Sequence, residues 1–204
     1  MAAMADLIRS PRALLLDMDG TLTKPMLDFP LIKREMGIGD RAILEALSEL
    51  NPTDRAAAEA VLLRHEEHAA RESTLNAGCI ELLAWAGEHH VKTALITRNS
   101  RMSVEVVCRT HDLKLDVVVS REDAKFKPDP EPLISACERL NVEPNQTWMI
   151  GDGRYDIEAG LAAGVPTVWI SHGRSRTFDA IPCETVSDLH ELRLMLQRTT
   201  RSGV

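Results

Sequence analysis

The residues whose types and spacing could do chemistry are mostly acids at the ends of apolar runs. Asp17 and Asp19 lie in Leu14-Leu15-Leu16-Asp17-Met18-Asp19-Gly20-Thr21. The leucines read as a buried parallel strand, and strand alternation would lean the two acids to the same side. Gly20 lets the chain turn, and Thr21 adds a hydroxyl beside the acids. Two carboxylates that close together repel, so such a site needs a cation, a shared proton, or both. The competing reading is an acidic turn after a strand, such as an N-cap pair.

A second acidic pair, Asp152 and Asp156, stands in Ile150-Gly151-Asp152-Gly153-Arg154-Tyr155-Asp156. It follows another apolar run and opens a helix, where a four-residue spacing puts both acids on one face. Several carboxylate oxygens suit a hard cation, and Mg²⁺ takes one or two of them while keeping waters. Gly151-x-Gly153 has the start of a dinucleotide fingerprint, but Asp156 replaces its third glycine and would repel a pyrophosphate. Lys127, in Lys125-Phe126-Lys127-Pro128-Asp129-Pro130, sits on an extended proline-rich segment before a helix. A lysine fixed there would neutralise a carboxylate and an incoming anion. Lys125 is the rival, and Pro128 directly after Lys127 favours the latter; a solvated loop lysine is the plain alternative. Thr97 ends an apolar run beside a helix start, where a hydroxyl and backbone N–H groups can bind a phosphate oxygen or merely cap the helix.

Stepping outward, the elements that must hold these residues alternate. Strands are expected at Leu14–Leu16, 92–97, 116–120, 147–151 and 166–170. Helices are expected at 78–89 (apolar positions Ile80, Leu82, Leu83 and Trp85), from Ser100 or Ser103 to about His111, and at 130–140, 155–163 and 188–198. Five strands alternating with helices predict an α/β fold with a doubly wound parallel sheet. Residues 24–75 break the alternation with helices at 27–36, 41–50 (capped by Asp40) and 55–73 (capped by Thr53 or Asp54). His65-Glu66-Glu67-His68 lacks the His-Glu-x-x-His spacing of a metal site and reads as a solvated helix face. His89-His90 falls at a helix end, where imidazole suits the dipole, and the Met and Trp positions are most simply core.

The bulk numbers narrow the function. The 204 residues make one domain, or one domain with a small insertion. Hydrophobic residues at 44% and charged residues at 27% describe an ordinary soluble chain. A net charge of −7 argues against a nucleic-acid partner, and 3% aromatics leave no stacking platform for bases. An anionic substrate must then be recruited by local charge or a metal. Cys79, Cys108, Cys137 and Cys183 form no Cys-x-x-Cys pair, so free thiols in a reducing cytoplasm are expected. No apolar run reaches membrane-spanning length, and the leader Met1–Ser10 is too short and weakly basic for a targeting signal.

The acidic segment at 17–21 resembles the first motif of the haloacid dehalogenase-like hydrolases, Asp-x-Asp-Gly-Thr. Thr97, Lys127 followed by Pro128, and Gly151-Asp152-x-x-x-Asp156 are similar to the family's later motifs, in the family's order. The resemblance implies a Rossmann-like core over 1–23 and 76–204, with a small all-helical cap over 24–75. It implies Asp17 as nucleophile and Asp19 as general acid/base, an acid that the family's dehalogenases and phosphonatases lack. Asp17, Asp19, Asp152 and Asp156 would serve Mg²⁺, with Asp156 binding through water or orienting Lys127. Thr97, Arg98 and Lys127 would meet the substrate. The layout is similar to phosphoglycolate phosphatases, so the expected substrate is a small phosphorylated metabolite, with no nucleic-acid or membrane partner. Lys33, Arg34, Arg41, Arg98 and Arg154 are candidate contacts for a second anionic group. A sugar phosphomutase of the same family and a silent metal- or partner-binding member stand as alternatives.

Overall fold

The computed structural model describes residues 10–201. All of the leader Met1–Ser10 except Ser10 lies outside them. The described residues fall into two compact units. One holds the residues up to Lys24, Thr74–Arg98 and those from Lys114 onward. The other holds Pro25–Ser73 and Asn99–Leu113.

The first unit is built on a six-stranded sheet: β1 (Ala13–Leu16), β2 (Lys92–Ile96), β3 (Val117–Val119), β4 (Thr147–Gly151), β5 (Thr167–Ile170) and β6 (Glu184–Val186). The order is β3-β2-β1-β4-β5-β6, and every neighbouring pair is parallel. The fold class is thus the doubly wound α/β sheet that the alternation predicts. β1 lies between β2 and β4, with Leu15 level with Ala94 and Met149. All four of its residues are fully buried, because helices cover both faces of a parallel sheet. Ala13, Leu15, Ala94, Ile96 and Met149 share a core with Leu133, Ala136 and Leu140 of α6 (Glu131–Leu140) and with Ala159 of α7 (Arg154–Ala163). Leu14 and Leu16 alternate to the other face. There α4 (Cys79–Glu88) packs on β2 and on α8 (Leu189–Arg201), which also meets β6.

The sixth strand has no counterpart in the sequence reading. It spans three residues of an edge strand, and only Val186 of them is buried. It therefore lacks the apolar run that marks the inner strands. Ile80, expected on the apolar face of α4, is 51% exposed. The helix begins at Cys79, so its buried stripe is Cys79, Leu82, Trp85 and Ala86, one position away from Ile80.

The second unit contains α1 (Phe29–Met36), α2 (Ile43–Glu49), α3 (Pro52–Arg71) and α5 (Arg101–Thr110). Asp28 caps α1, and Gly37 closes it in the left-handed region at φ 67°. Asp40 does not cap α2. Its carbonyl accepts from Lys33 Nζ, Arg41 Nε donates to the Ile38 carbonyl, and the helix starts later, after Ala42. Nor do Thr53 or Asp54 cap α3. The Asn51 carboxamide oxygen accepts from both their backbone N–H groups at 3.1 Å, with Pro52 as the first helical residue. α3 packs on α1 and α5. Its His-Glu-Glu-His segment is not a uniformly solvated face. Glu66 is 3% exposed and accepts from the Ser100 N–H that opens α5, while His65 pairs with Glu35 at 2.9 Å.

Among the described residues no helix is long and apolar enough to cross a membrane. The four cysteines are free.

Candidate active site

In an open parallel sheet, ligands bind beyond the carboxyl ends of the strands, where the strand order reverses. Here that point lies between β1 and β4. Asp17 leaves β1 and Asp152 leaves β4, so the two acids emerge on either side of it. The Asp17 N–H donates to the Ile150 carbonyl at 3.0 Å and carries the pairing one residue past the strand end.

Lys127 joins the parts. Its ammonium is 2% exposed and donates to Asp17 Oδ1 at 2.6 Å, Asp156 Oδ1 at 2.6 Å and the Ile96 carbonyl at 2.7 Å. An ammonium has three protons, and all three are used. Burial alone would strip its charge, but the carboxylates of Asp156 and Asp17 outweigh burial and raise its pKa. Lys125 is elsewhere, exposed and paired with Asp129 at 3.3 Å and Glu131 at 3.4 Å.

Asp17, Asp152 and Asp156 bring carboxylate oxygens within 4.8 Å of one another. They differ in access. Asp156 is 5% exposed, and its second oxygen, Oδ2, accepts from the Gly153 N–H at 3.0 Å. It is a support for Lys127 and for the start of α7. Asp17 and Asp152 keep 13% and 17% of their side chains open and face solvent. Burial pushes the Asp17 carboxyl well up from its ordinary value. Lys127 pulls it back, and Asp156 and Asp152 add to the rise. Burial raises Asp152 as well, against Arg174, which donates to its Oδ2 at 2.9 Å.

An all-oxygen donor set with two open carboxylates fits a hard divalent cation. The backbone fits it too. Gly20, at φ 82°, passes so close to Asp152 that a Cβ would stand 2.5 Å from its carboxylate, and at Gly151 a Cβ would collide with the Asp156 carboxylate. Any side chain at either position would displace an acid.

Asp19 is not one of the three grouped carboxylates. Strand geometry stops at Leu16, so the alternation that would align it with Asp17 does not reach it. It lies instead in a tight turn in which the Gly20 N–H donates to the Thr23 carbonyl at 2.8 Å, and Thr23 Oγ1 approaches Asp19 Oδ1 at 3.4 Å. Thr97 is 5% exposed at the end of β2, its N–H donating to the Val119 carbonyl at 3.0 Å. The Arg98 guanidinium lies over the Phe126 and Tyr155 rings and donates to the Lys127 carbonyl.

Three neighbours of the site escaped sequence reasoning. The Asn76 amide donates to the carbonyls of Gly20, Thr21 and Thr23 at 2.8–3.1 Å and clasps the acidic turn. The His172 ring meets the Gly20 carbonyl at 2.6 Å, and Arg174 holds Asp152. The signal for the last two was their place in the loop just after β5, the strand beside β4. Asn76 had none, since its partners are main-chain atoms more than 50 residues away.

This geometry makes Lys127 and Asp17 opposite in their effect on stability without metal. Lys127→Ala leaves the neighbouring Asp17 and Asp156 carboxylates without their shared cation and should cost about 3–5 kcal/mol, read from urea unfolding. Asp17→Asn removes a charge that burial opposes and should gain about 1 kcal/mol near neutral pH, roughly 2–4 °C in Tm. The Asp17 pKa is raised on folding, so its ionisation penalises the fold only as pH rises above the ordinary carboxyl value of 3.8. The gain from Asp17→Asn should therefore fade at pH below about 4. An equal gain at pH 3 and pH 7 would contradict this account.

Comparison with known proteins gives the family. Residues 30–170 match the family described as haloacid dehalogenase-like hydrolase. An N-acetylmuramic acid 6-phosphate phosphatase of Pseudomonas aeruginosa is 31% identical over 186 residues, spanning 79% of this chain and 82% of the relative. A phosphoglycolate phosphatase of Rhodospirillum rubrum is 28% identical, spanning 81% and 82%. CbbY from Rhodobacter sphaeroides, solved in complex with phosphate, has the same fold, with a TM-score of 0.72 at 20% identity over 92% of this chain and 99% of that one. By the match of its sequence and the architecture of its sheet, the chain belongs to the haloacid dehalogenase-like hydrolases.

Proposed function

We propose that this chain hydrolyses a small-molecule phosphomonoester, with Asp17 as a nucleophile that is transiently phosphorylated. The observation that carries the reading is the Asp17–Lys127 contact. One oxygen of a partly exposed carboxylate is held by a buried ammonium, and the carboxylate still faces solvent at the carboxyl end of β1. A carboxylate in that state can attack phosphorus in line, and the attached charge of the phosphoryl group meets Lys127 at once.

In this reading Asp17 bonds to phosphorus while the ester oxygen leaves, taking a proton from Asp19. Asp19 then removes a proton from water, the water attacks the acyl phosphate, and inorganic phosphate departs with Asp17 restored. Asp19, two residues after Asp17 in the turn that the Gly20 N–H closes onto the Thr23 carbonyl, is the acid this reading assigns to proton transfer. Asp156 acts through Lys127 and the Gly153 N–H. Thr97 would offer a hydroxyl to a phosphoryl oxygen at the end of β2. Mg²⁺, held by Asp17 and Asp152, would supply positive charge against the oxygens of the transferring group.

The relatives support a substrate class. Both named phosphatases act on phosphate esters of organic acids, so the preferred substrate of this chain is a small phosphomonoester that bears a second anionic group. Four free cysteines suit a reducing compartment such as the cytoplasm.

Phosphate release from 4-nitrophenyl phosphate and a panel of phosphorylated acids and sugars tests the reading. Release should require a divalent cation, fall to background with chelator, and drop by at least about 10³-fold in Asp17→Asn. Full turnover in that variant would rule out Asp17 as the nucleophile. Within the panel, phosphorylated acids should exceed neutral sugar phosphates in kcat/KM. A ranking led by neutral esters would remove the second anion from the substrate description.

A further inference from the structure

Aromatic residues are scarce in this chain, with one Tyr and three Phe. Yet the Tyr and one Phe stand together beside the site, in a stack with two arginines. The Arg98 guanidinium carbon lies over two rings, 4.8 Å from the Phe126 ring centre and 4.2 Å from the Tyr155 ring centre. Arg154 lies 4.7 Å from the same Tyr155 ring and donates to its hydroxyl at 3.1 Å.

The members come from three separate segments, each next in sequence to a residue of the site. Arg98 follows Thr97 at the end of β2. Phe126 precedes Lys127. Tyr155 precedes Asp156 in the first turn of α7. The stack therefore ties together the loops that carry Thr97, Lys127 and Asp156. Arg98 also donates to the Lys127 carbonyl, and its own carbonyl accepts from Arg121 Nη1 at 3.3 Å.

We propose that Arg98 is a positioning residue that fixes Lys127 through the Lys127 carbonyl, with the Phe126 and Tyr155 rings holding its guanidinium. A planar guanidinium can stack on aromatic rings and still direct an edge N–H at a carbonyl; an ammonium cannot. The consequence falls on the reaction, because the Lys127 ammonium must meet Asp17, Asp156 and Ile96 at once. A displacement of about 1 Å at such a group costs on the order of 100-fold in rate. This role takes Arg98 out of the set of free substrate contacts. It rests on the phosphatase reading for its kinetic consequence but not for its structural one.

The test has two readouts on the full chain. In the first, Arg98→Ala and Arg98→Lys are compared with wild type for release of phosphate from 4-nitrophenyl phosphate with Mg²⁺. Both should lose roughly 10- to 100-fold in kcat, with KM changed less than about threefold. Tyr155→Phe, which keeps the ring, should retain far more turnover than Tyr155→Leu. In the second, amide hydrogen exchange is followed by mass spectrometry without substrate. Arg98→Ala should speed exchange at residues 124–127 and leave β1 and β4 protected.

An Arg98→Ala variant that raises KM at unchanged kcat would overturn the proposal and make Arg98 an anion contact. Unchanged exchange at 124–127 would overturn it whatever the kinetics. If Arg98→Ala fails to fold, Tyr155→Leu and Phe126→Leu carry the same two readouts, since each removes one ring of the stack and leaves Arg98 in place. If wild type releases phosphate from nothing, the phosphatase reading fails, and the exchange result alone still decides whether Arg98 holds the Lys127 segment.

Discussion

The structure depends on a buried ammonium that serves two carboxylates. Lys127 must keep its charge while almost fully withdrawn from water, which is costly unless every proton finds an acceptor. Asp17, Asp156 and the Ile96 carbonyl meet that demand from three different segments. Their convergence fixes how the ends of β1 and β2 and the start of α7 sit against one another. The requirement runs the other way as well. Asp17 and Asp156 can be brought together beyond the sheet only because Lys127 offsets their repulsion. The arrangement is thus both a fold constraint and the charge pattern a phosphoryl acceptor needs.

The sheet makes that convergence possible. Parallel strands deliver all their carboxyl ends to one edge, and the order β3-β2-β1-β4-β5-β6 opens a crevice between β1 and β4. Everything chemical lies at that edge: Asp17 after β1, Thr97 and Arg98 after β2, Asp152 after β4, and His172 and Arg174 after β5. β1, which carries Asp17, is buried on both faces along its whole length. A site built from loops gains precision when each loop starts from a strand that cannot shift.

What was legible in the sequence was what local pattern controls. Apolar runs of four or five residues gave the inner strands. The acids, the lysine and the threonine stood out because their chemistry is written in residue type. The illegible parts depend on distant partners. Asn51, not Thr53 or Asp54, caps α3, because the competition among three adjacent capping residues is settled by which backbone turns out of the helix. Glu66 looked solvated among charged neighbours until α5 brought the Ser100 N–H to it. Asn76 carries no signal at all until the turn at 20–23 closes over it. β6 is an edge strand of three residues and has no apolar pattern to read.

The two cations at the carboxylates divide the work by burial. Lys127 is enclosed, and the Asp156 and Asp17 carboxylates raise its pKa against the effect of burial. Arg174 is 54% exposed on its side chain and reaches Asp152 from a solvent-facing loop, so solvent screens the pair and the contact is exchangeable. Three carboxylates stand against these two cations, on a chain whose overall charge is −7. A phosphate ester brings more negative charge to them, which a further positive charge would offset. In the proposed reaction a divalent cation held by Asp17 and Asp152, the two acids that remain open, would supply that charge. The exchangeable Arg174 would then be the partner that yields Asp152, while Lys127 stays enclosed between Asp17 and Asp156. In the proposed reaction a need for metal and the attraction of an anionic substrate would follow from the same local charges, and neither needs a basic protein surface.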